Sequence, residues 1–256
     1  MRSAALCSFA VLALATTIVF GVRAQEPPPA VDPVALELLR ESTEYLGSLQ
    51  QFSVSAHNFH EDLTDMGNRV DFEMEGQVTV SRPNKLRGER QDDWFDQVLI
   101  FDGQTLTLFN PLEGVYASEP VSGTIEDMFE IAQSTLGLFI PITDLLRQDV
   151  FPLLIQDVTL AMVIGQETVD GIICDHLLFS RPGVDFQIWV ADDGPPLPHK
   201  FVVTDTATPE LLSIVTRISG WDLDPVIPDG YFDFVPPEGA REINFLKLDL
   251  DGETNQ

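Results

Sequence analysis

The chain is poor in cysteine: 256 residues contain two, Cys7 and Cys174. Cys7 falls inside an N-terminal leader, so the exported chain is expected to carry one thiol and no intramolecular disulfide. Basic residues are scarce as well, 14 Lys and Arg against 41 Asp and Glu, for a formal charge of −27. Such a field repels nucleic acid and anionic bilayers and reads first as a solvated surface. Beyond the leader, no apolar run is long and unbroken enough to span a bilayer, which takes roughly 20 residues. Catalytic signatures are missing too, with no Gly-x-Ser-x-Gly elbow, phosphate loop or dinucleotide fingerprint. The four histidines are His57, His60, His176 and His199. His57 and His60 stand three apart on a predicted strand, hence on opposite faces, and are not placed to share a metal. Cys174 and His176 share a strand face, yet two ligands make neither a closed zinc site nor a catalytic one. Asp249-Leu250-Asp251-Gly252 stops short of the ligands a calcium loop needs, and a hydrated loop accounts for Asp92, Asp93 and Asp96. No catalytic residue, metal or cofactor is expected.

What is present begins with the leader. Arg2 supplies a positive start, Ala4 to Phe20 is largely apolar, and Val22-Arg23-Ala24 places small residues at the two positions a signal peptidase reads. Cleavage is expected after Ala24, with export. The rival is an uncleaved anchor helix, against which the Gln25-Glu26-Pro27-Pro28-Pro29 continuation speaks. Cys7 lies too near the start to accept a lipid. Losing Arg2 and Arg23 takes the formal charge from −27 to −29.

The remainder divides into a Pro-rich linker (25–31), one domain (32–246) and an acidic tail (247–256). Asp32 and Pro33 make a helix cap and first turn. Leu38, Leu39, Ser42, Tyr45, Leu46 and Leu49 recur at helical spacing, so the pattern predicts an amphipathic helix over Val34–Leu49. From Phe52 the period becomes two: Phe52, Val54 and Ala56, then Val70, Phe72 and Met74, then Val78 and Val80 alternate with polar residues. Asp102-Gly103 sets a hairpin between Val98–Phe101 and Thr105–Phe109, and Asp170-Gly171 sets another between Thr168–Val169 and Ile172–Phe179. Consecutive hairpins imply an antiparallel meander. Within the second hairpin, Cys174 reads as a buried small hydrophobe. The chain is expected to end in a strand to Asp222, a proline-rich turn and an aromatic edge segment at Tyr231–Phe234, whose exposed edge is open to pairing.

Thr124 to Leu160 breaks the alternation, being dense in Phe, Leu and Ile and cut by Pro141 and Pro152 into short helical pieces. It is either a core plug on the concave side of the sheet or a movable apolar lid over a cavity.

Several runs taken in order carry a resemblance. Tyr45-Leu46-Gly47-Ser48-Leu49-Gln50-Gln51-Phe52-Ser53-Val54 is followed by Val78-Thr79-Val80-Ser81-Arg82-Pro83-Asn84-Lys85-Leu86-Arg87 and by Phe101-Asp102-Gly103-Gln104-Thr105-Leu106-Thr107-Leu108. Gln187-Ile188-Trp189-Val190 and Pro195-Pro196-Leu197-Pro198-His199-Lys200 complete the set. Together they resemble domain-of-unknown-function family 2092, predicted periplasmic proteins, from the first helix to Ala240. That family is remotely similar to the periplasmic lipoprotein carriers of the outer-membrane sorting pathway. The resemblance implies a mainly β fold: a half-open, curved antiparallel barrel with an N-terminal helix and a helical lid, 124–155, covering the concave face.

On this reading the protein is a non-catalytic binder that holds a lipid, lipidated protein or other hydrophobic ligand between sheet and helices. It is expected to bind no nucleic acid and, once cleaved, to insert stably in no membrane. Burial at about 0.8 kcal/mol per methylene suffices to retain one acyl chain without polar chemistry. The cavity candidates are Met128, Phe129, Leu136, Phe139, Ile142, Leu146 and Phe151, with Glu126 expected to be exposed and indifferent. The alternatives are a protein-interaction or sensor module using the same groove, and a hydrolase with an unrecognised site.

Overall fold

The computed structural model describes residues 30–91, 96–137 and 143–247. The leader and its cleavage site, most of the linker, Asp92, Asp93, Phe139, Pro141, Ile142 and the acidic end from Asp249 lie outside the described residues.

Asp32 starts α1 (Pro33–Ser48) by accepting the Val34 N–H on its carboxylate at 2.9 Å, while Pro33 supplies a preset φ in the first turn. Ala35, Leu39 and Leu46 are buried, and Tyr45 only half-buried, so the stripe centres on Leu39 and Leu46.

Two meanders then share one sheet. β1 (Gln51–Leu63), β2 (Arg69–Ser81), β3 (Lys85–Gln91), β4 (Asp96–Phe101), β5 (Thr105–Asn110) and β6 (Val115–Pro120) form the first. β7 (Leu160–Val169), β8 (Ile172–Arg181), β9 (Val184–Ala191), β10 (Pro198–Asp205) and β11 (Ser213–Asp222) form the second. β11 pairs with β1, and β12 (Arg241–Glu242) adds in parallel to β6, giving the order β12-β6-β5-β4-β3-β2-β1-β11-β10-β9-β8-β7. The sheet is curved and open, a half-barrel with the expected antiparallel pairing. β7 begins at Leu160, well before Thr168, because Leu160-Ala161-Met162-Val163-Ile164 is apolar on both faces. Ala161 enters the core while Met162 and Ile164 stand exposed, which hides the period of two.

The core lies on the concave face. Phe52, Val80, Leu86, Phe101 and Leu106 from one meander and Leu177, Phe179, Phe186, Ile188 and Phe201 from the other point inward at alternate positions and meet the helices. Since β6 and β7 lie towards opposite ends of the sheet, the chain joining them must cross it. It crosses the concave face as α2 (Ile125–Ser134), α3 (Thr143–Leu146) and α4 (Phe151–Ile155).

The chain after β11 crosses back over the convex face. Tyr231 Oη lies 3.2 Å from Thr79 Oγ1, the Arg87 guanidinium sits 5.1 Å from the Tyr231 ring centroid, and Phe234 packs on Phe109 and Tyr116. The expected aromatic edge at Tyr231–Phe234 is therefore corrected: the segment forms no strand and Phe232 is buried. The proline-rich turns keep its backbone out of the ladder and leave its rings to cover the sheet. The strand that reaches the edge is β12.

Candidate functional site

The concave face has two ends of different character. At one end, the β2–β3 turn carries Arg82, whose side chain is 2% exposed. Its Nε donates to the Leu49 carbonyl at 3.1 Å and its Nη2 to the Leu146 carbonyl at 2.9 Å, while Nη1 lies 3.7 Å from Glu126 Oε1. One guanidinium thus ties the end of α1, the end of α3 and the first turn of α2 to the sheet. Burial pulls its pKa below the usual arginine value, and Glu126 opposes that shift. Glu126 Oε1 also accepts the Gln148 N–H at 2.8 Å, so Glu126, expected from sequence to be exposed, is a half-buried structural anchor. Thr124 and Asp127 close a capping box at the start of α2, and hydrogen bonds from the Thr124 backbone and hydroxyl hold the Asp127 carboxyl below its ordinary range.

Towards the other end the cover stands off from the sheet. A cavity of about 310 Å³ lies between α2 and α3 and the inner faces of β1 to β5. Strand register defines its floor. One row runs Val78, Gly88, Leu99, Leu108, and the next runs Ala56, Gly76, Arg90, Gln97. Phe129 of α2 and Leu146 of α3 form its roof. Along β3 the inward positions are Leu86, Gly88 and Arg90, so hydrophobicity gives way to an absent side chain and then to a charge. A Cβ at Gly88 would find nothing nearer than 4.0 Å. Glycine here creates the space.

Of the seven residues singled out by sequence, Phe129 and Leu146 line this cavity. Met128 and Leu136 are buried in the core around it, and Phe151 is partly buried on α4 beneath the Arg40 guanidinium, 4.8 Å from its ring centroid. Phe139 and Ile142 lie outside the described residues. Sequence reasoning missed Gly88, Arg90, Gln97 and Asn58. The available signal was a glycine followed by an arginine at core parity in Leu86-Arg87-Gly88-Glu89-Arg90.

A second polar cluster sits on the convex face of β7 to β10. His176 stacks on Trp189 at 3.9 Å, with its Nδ1 3.1 Å from Glu167 and its Nε2 2.8 Å from Gln187. The indole N–H donates to Glu167 at 3.0 Å and, with His176 and Lys200, holds that carboxyl below its usual range. Lys200 Nζ lies 4.0 Å from the Trp189 ring centroid. Both imidazole nitrogens are committed, and the adjacent Cys174 is a buried free thiol whose pKa is pushed up to about 11 by desolvation, with Asp175 adding to the shift. A protonated thiol and a fully bonded imidazole suit a packing network, not nucleophilic chemistry. Among the described residues no group of three or more His, Cys, Asp or Glu is placed to hold a metal, and no helix is long and apolar enough to cross a membrane.

A family model described as predicted periplasmic protein (DUF2092) matches residues 35–246. Among curated proteins nothing matches the chain. Of the solved structures, LprF from Mycobacterium bovis is similar at 14% identity and a TM-score of 0.50, over 78% of this chain and 98% of that one. An uncharacterized conserved protein from Thermus thermophilus is similar at 9% identity and a TM-score of 0.49, over 82% of this chain and 99% of that one. A LolA superfamily protein from Nitrosomonas europaea is similar at 14% identity and a TM-score of 0.42, over 78% of this chain and 97% of that one.

Proposed function

The chain belongs to DUF2092, a family of predicted periplasmic proteins, and we propose that it is a non-catalytic binding protein that holds a hydrophobic ligand beneath α2 and α3. The carrying observation is the cavity of about 310 Å³ walled by Val78, Leu86, Leu99, Leu108, Phe129 and Leu146. Its size falls at the lower end of ligand pockets, roughly 300–1,000 Å³. Removing an acyl chain from water into such walls contributes about 0.8 kcal/mol per methylene. Phe129 and Leu146 contact the ligand in this reading, while Met128, Leu136 and Phe151 hold the roof in place. The leader is cut after Ala24, so the protein works after export as a free carrier or reservoir.

The test uses Gly88, where a new side chain enters the cavity without meeting backbone. A fluorescent fatty acid should bind the wild-type protein saturably, and Gly88→Leu should weaken that binding about ten-fold or more while leaving the thermal midpoint nearly unchanged. Unaltered binding by Gly88→Leu would place the ligand elsewhere. No saturable binding of any acyl probe, together with specific capture of one polypeptide, would favour the interaction-module reading instead.

A further inference from the structure

Resting on the binding reading above, we infer that the ligand is a single-chain amphiphile with an anionic head, its chain under Phe129 and its head at the Asn58–Arg90–Gln97 end of the cavity. The two ends of the cavity differ in chemistry. Leu86, Leu99, Leu108 and Leu146 offer only carbon, whereas Asn58, Arg90 and Gln97 bring polar side chains to the inner faces of β1, β3 and β4. Register places Gly76 between Ala56 and Arg90, so the row bearing the guanidinium has two small neighbours beside it.

The polar end is rich in donors. A guanidinium has five N–H groups and no acceptor, so Arg90 keeps its contacts within the protein and still serves a carboxylate or phosphate oxygen. Asn58 accepts the Thr216 hydroxyl on Oδ1 at 2.7 Å, and its Nδ2 carries two further donors. Glu75 and Glu89 also border the cavity, but by strand alternation their side chains leave from the convex face, where Glu89 accepts Arg87 Nε at 2.8 Å. Arg90 is thus the basic side chain on the concave rim among the described lining residues. The cavity's size favours a small occupant: about 310 Å³ falls at the lower end of ligand pockets, roughly 300–1,000 Å³, which suits one chain better than two.

The head group is either a carboxylate or a phosphate monoester, and the probes separate them. Dodecanoate, dodecyl phosphate, dodecanol and a didodecanoyl phosphatidate are titrated by calorimetry, each below its critical micelle concentration, against the mature protein and its Arg90→Gln variant. Wild type should prefer one or both single-chain anions over dodecanol by about ten-fold or more, the value of one hydrogen bond to a charged group. Arg90→Gln should erase that preference while leaving dodecanol affinity unchanged, and the two-chain lipid should bind about ten-fold more weakly or not at all. Whichever anion binds tighter names the head group.

Equal affinity of wild type for dodecanol and both anions would overturn the anionic head, and tight binding of the two-chain lipid would overturn the single chain; either result leaves the binding reading standing. Failure of every probe would remove the binding reading itself. Should Arg90→Gln not fold, Gln97→Met carries the same test, with a smaller loss of the same preference expected and an unchanged preference counting against the assignment.

Discussion

Gly47 and Gly88 belong to the two ends of the concave face, and each is glycine for the opposite reason. A Cβ at Gly47 would lie 2.1 Å from the Gln148 carbonyl oxygen, whereas a Cβ at Gly88 would meet nothing nearer than 4.0 Å. The first glycine lets two backbones touch, and the second keeps a wall from filling. At the Gly47 end, Arg82 bonds the helical cover down; at the Gly88 end, Phe129 and Leu146 span a void. This cover is thus pinned at one end and stands clear at the other.

The contrast breaks most severely at Arg82. Arg82→Ala removes the donors for two carbonyls and strands Glu126, and should cost roughly 3 kcal/mol, read as a lowered denaturation midpoint. Gly47→Ala should cost about 2 kcal/mol in the same assay, because the neighbour it strikes is backbone and has no rotamer with which to yield.

A smaller effect follows from pH at a site belonging to neither end. Burial lowers the His199 pKa from its ordinary 6.5, with a backbone hydrogen bond at Ile218 and the Asp170 charge opposing. The unfolded chain takes up a proton near 6.5 while the folded chain resists, so His199 stabilises the fold above that pH and the contribution is lost as pH falls. His199→Gln should flatten stability against pH on the acid side. For Cys174 the window lies at the other extreme: a thiol raised from 9.0 to about 11 favours the folded state less as pH climbs through that interval. Cys174 should accordingly label slowly at pH 8 in the folded protein and at an ordinary thiol rate in denaturant. The smallest expected change is at Gly88, where Gly88→Ala should leave stability unaltered or raise it by about 0.5 kcal/mol through reduced chain entropy. A large destabilisation there would mean that the space is not open.

Much of the sheet was legible because alternation is local. Phe52, Val54 and Ala56, or the turns at Asp102-Gly103 and Asp170-Gly171, announce their strands without reference to anything distant. The apolar crossing between β6 and β7 was legible as a cover but not as plug or lid, since hydrophobicity records burial and not what lies on the far side. Phe129 and Leu146 could be named from it, yet the floor opposite them could not, being assembled by register from five strands. Glu126 was misread for the same reason, its partner Arg82 being remote in sequence. The runs that carry the family resemblance reach both ends: Gly47 against Gln148 and Arg82 on its carbonyls at the pinned end, and Val78, Leu86 and Leu108 on the cavity wall. Asn58, Gly88, Arg90 and Gln97 fall outside them, so the runs announce the scaffold and only part of the cavity.

The short pairings at the two margins of the sheet bear on aggregation. Ala30 and Asp32 bracket Ala161 of β7 with hydrogen bonds of 2.9 and 2.8 Å, and Arg241–Glu242 pair with β6 at the other margin. Each margin is shielded by a segment from far along the chain, one before the first helix and one after the last long strand. Unpaired margins are templates for intermolecular strand addition, so a molecule that has folded its two meanders but not yet docked these flanks is at its most adhesive. Trimming either flank would leave that margin less paired and should raise the tendency of copies to associate, read as a shift in solution mass.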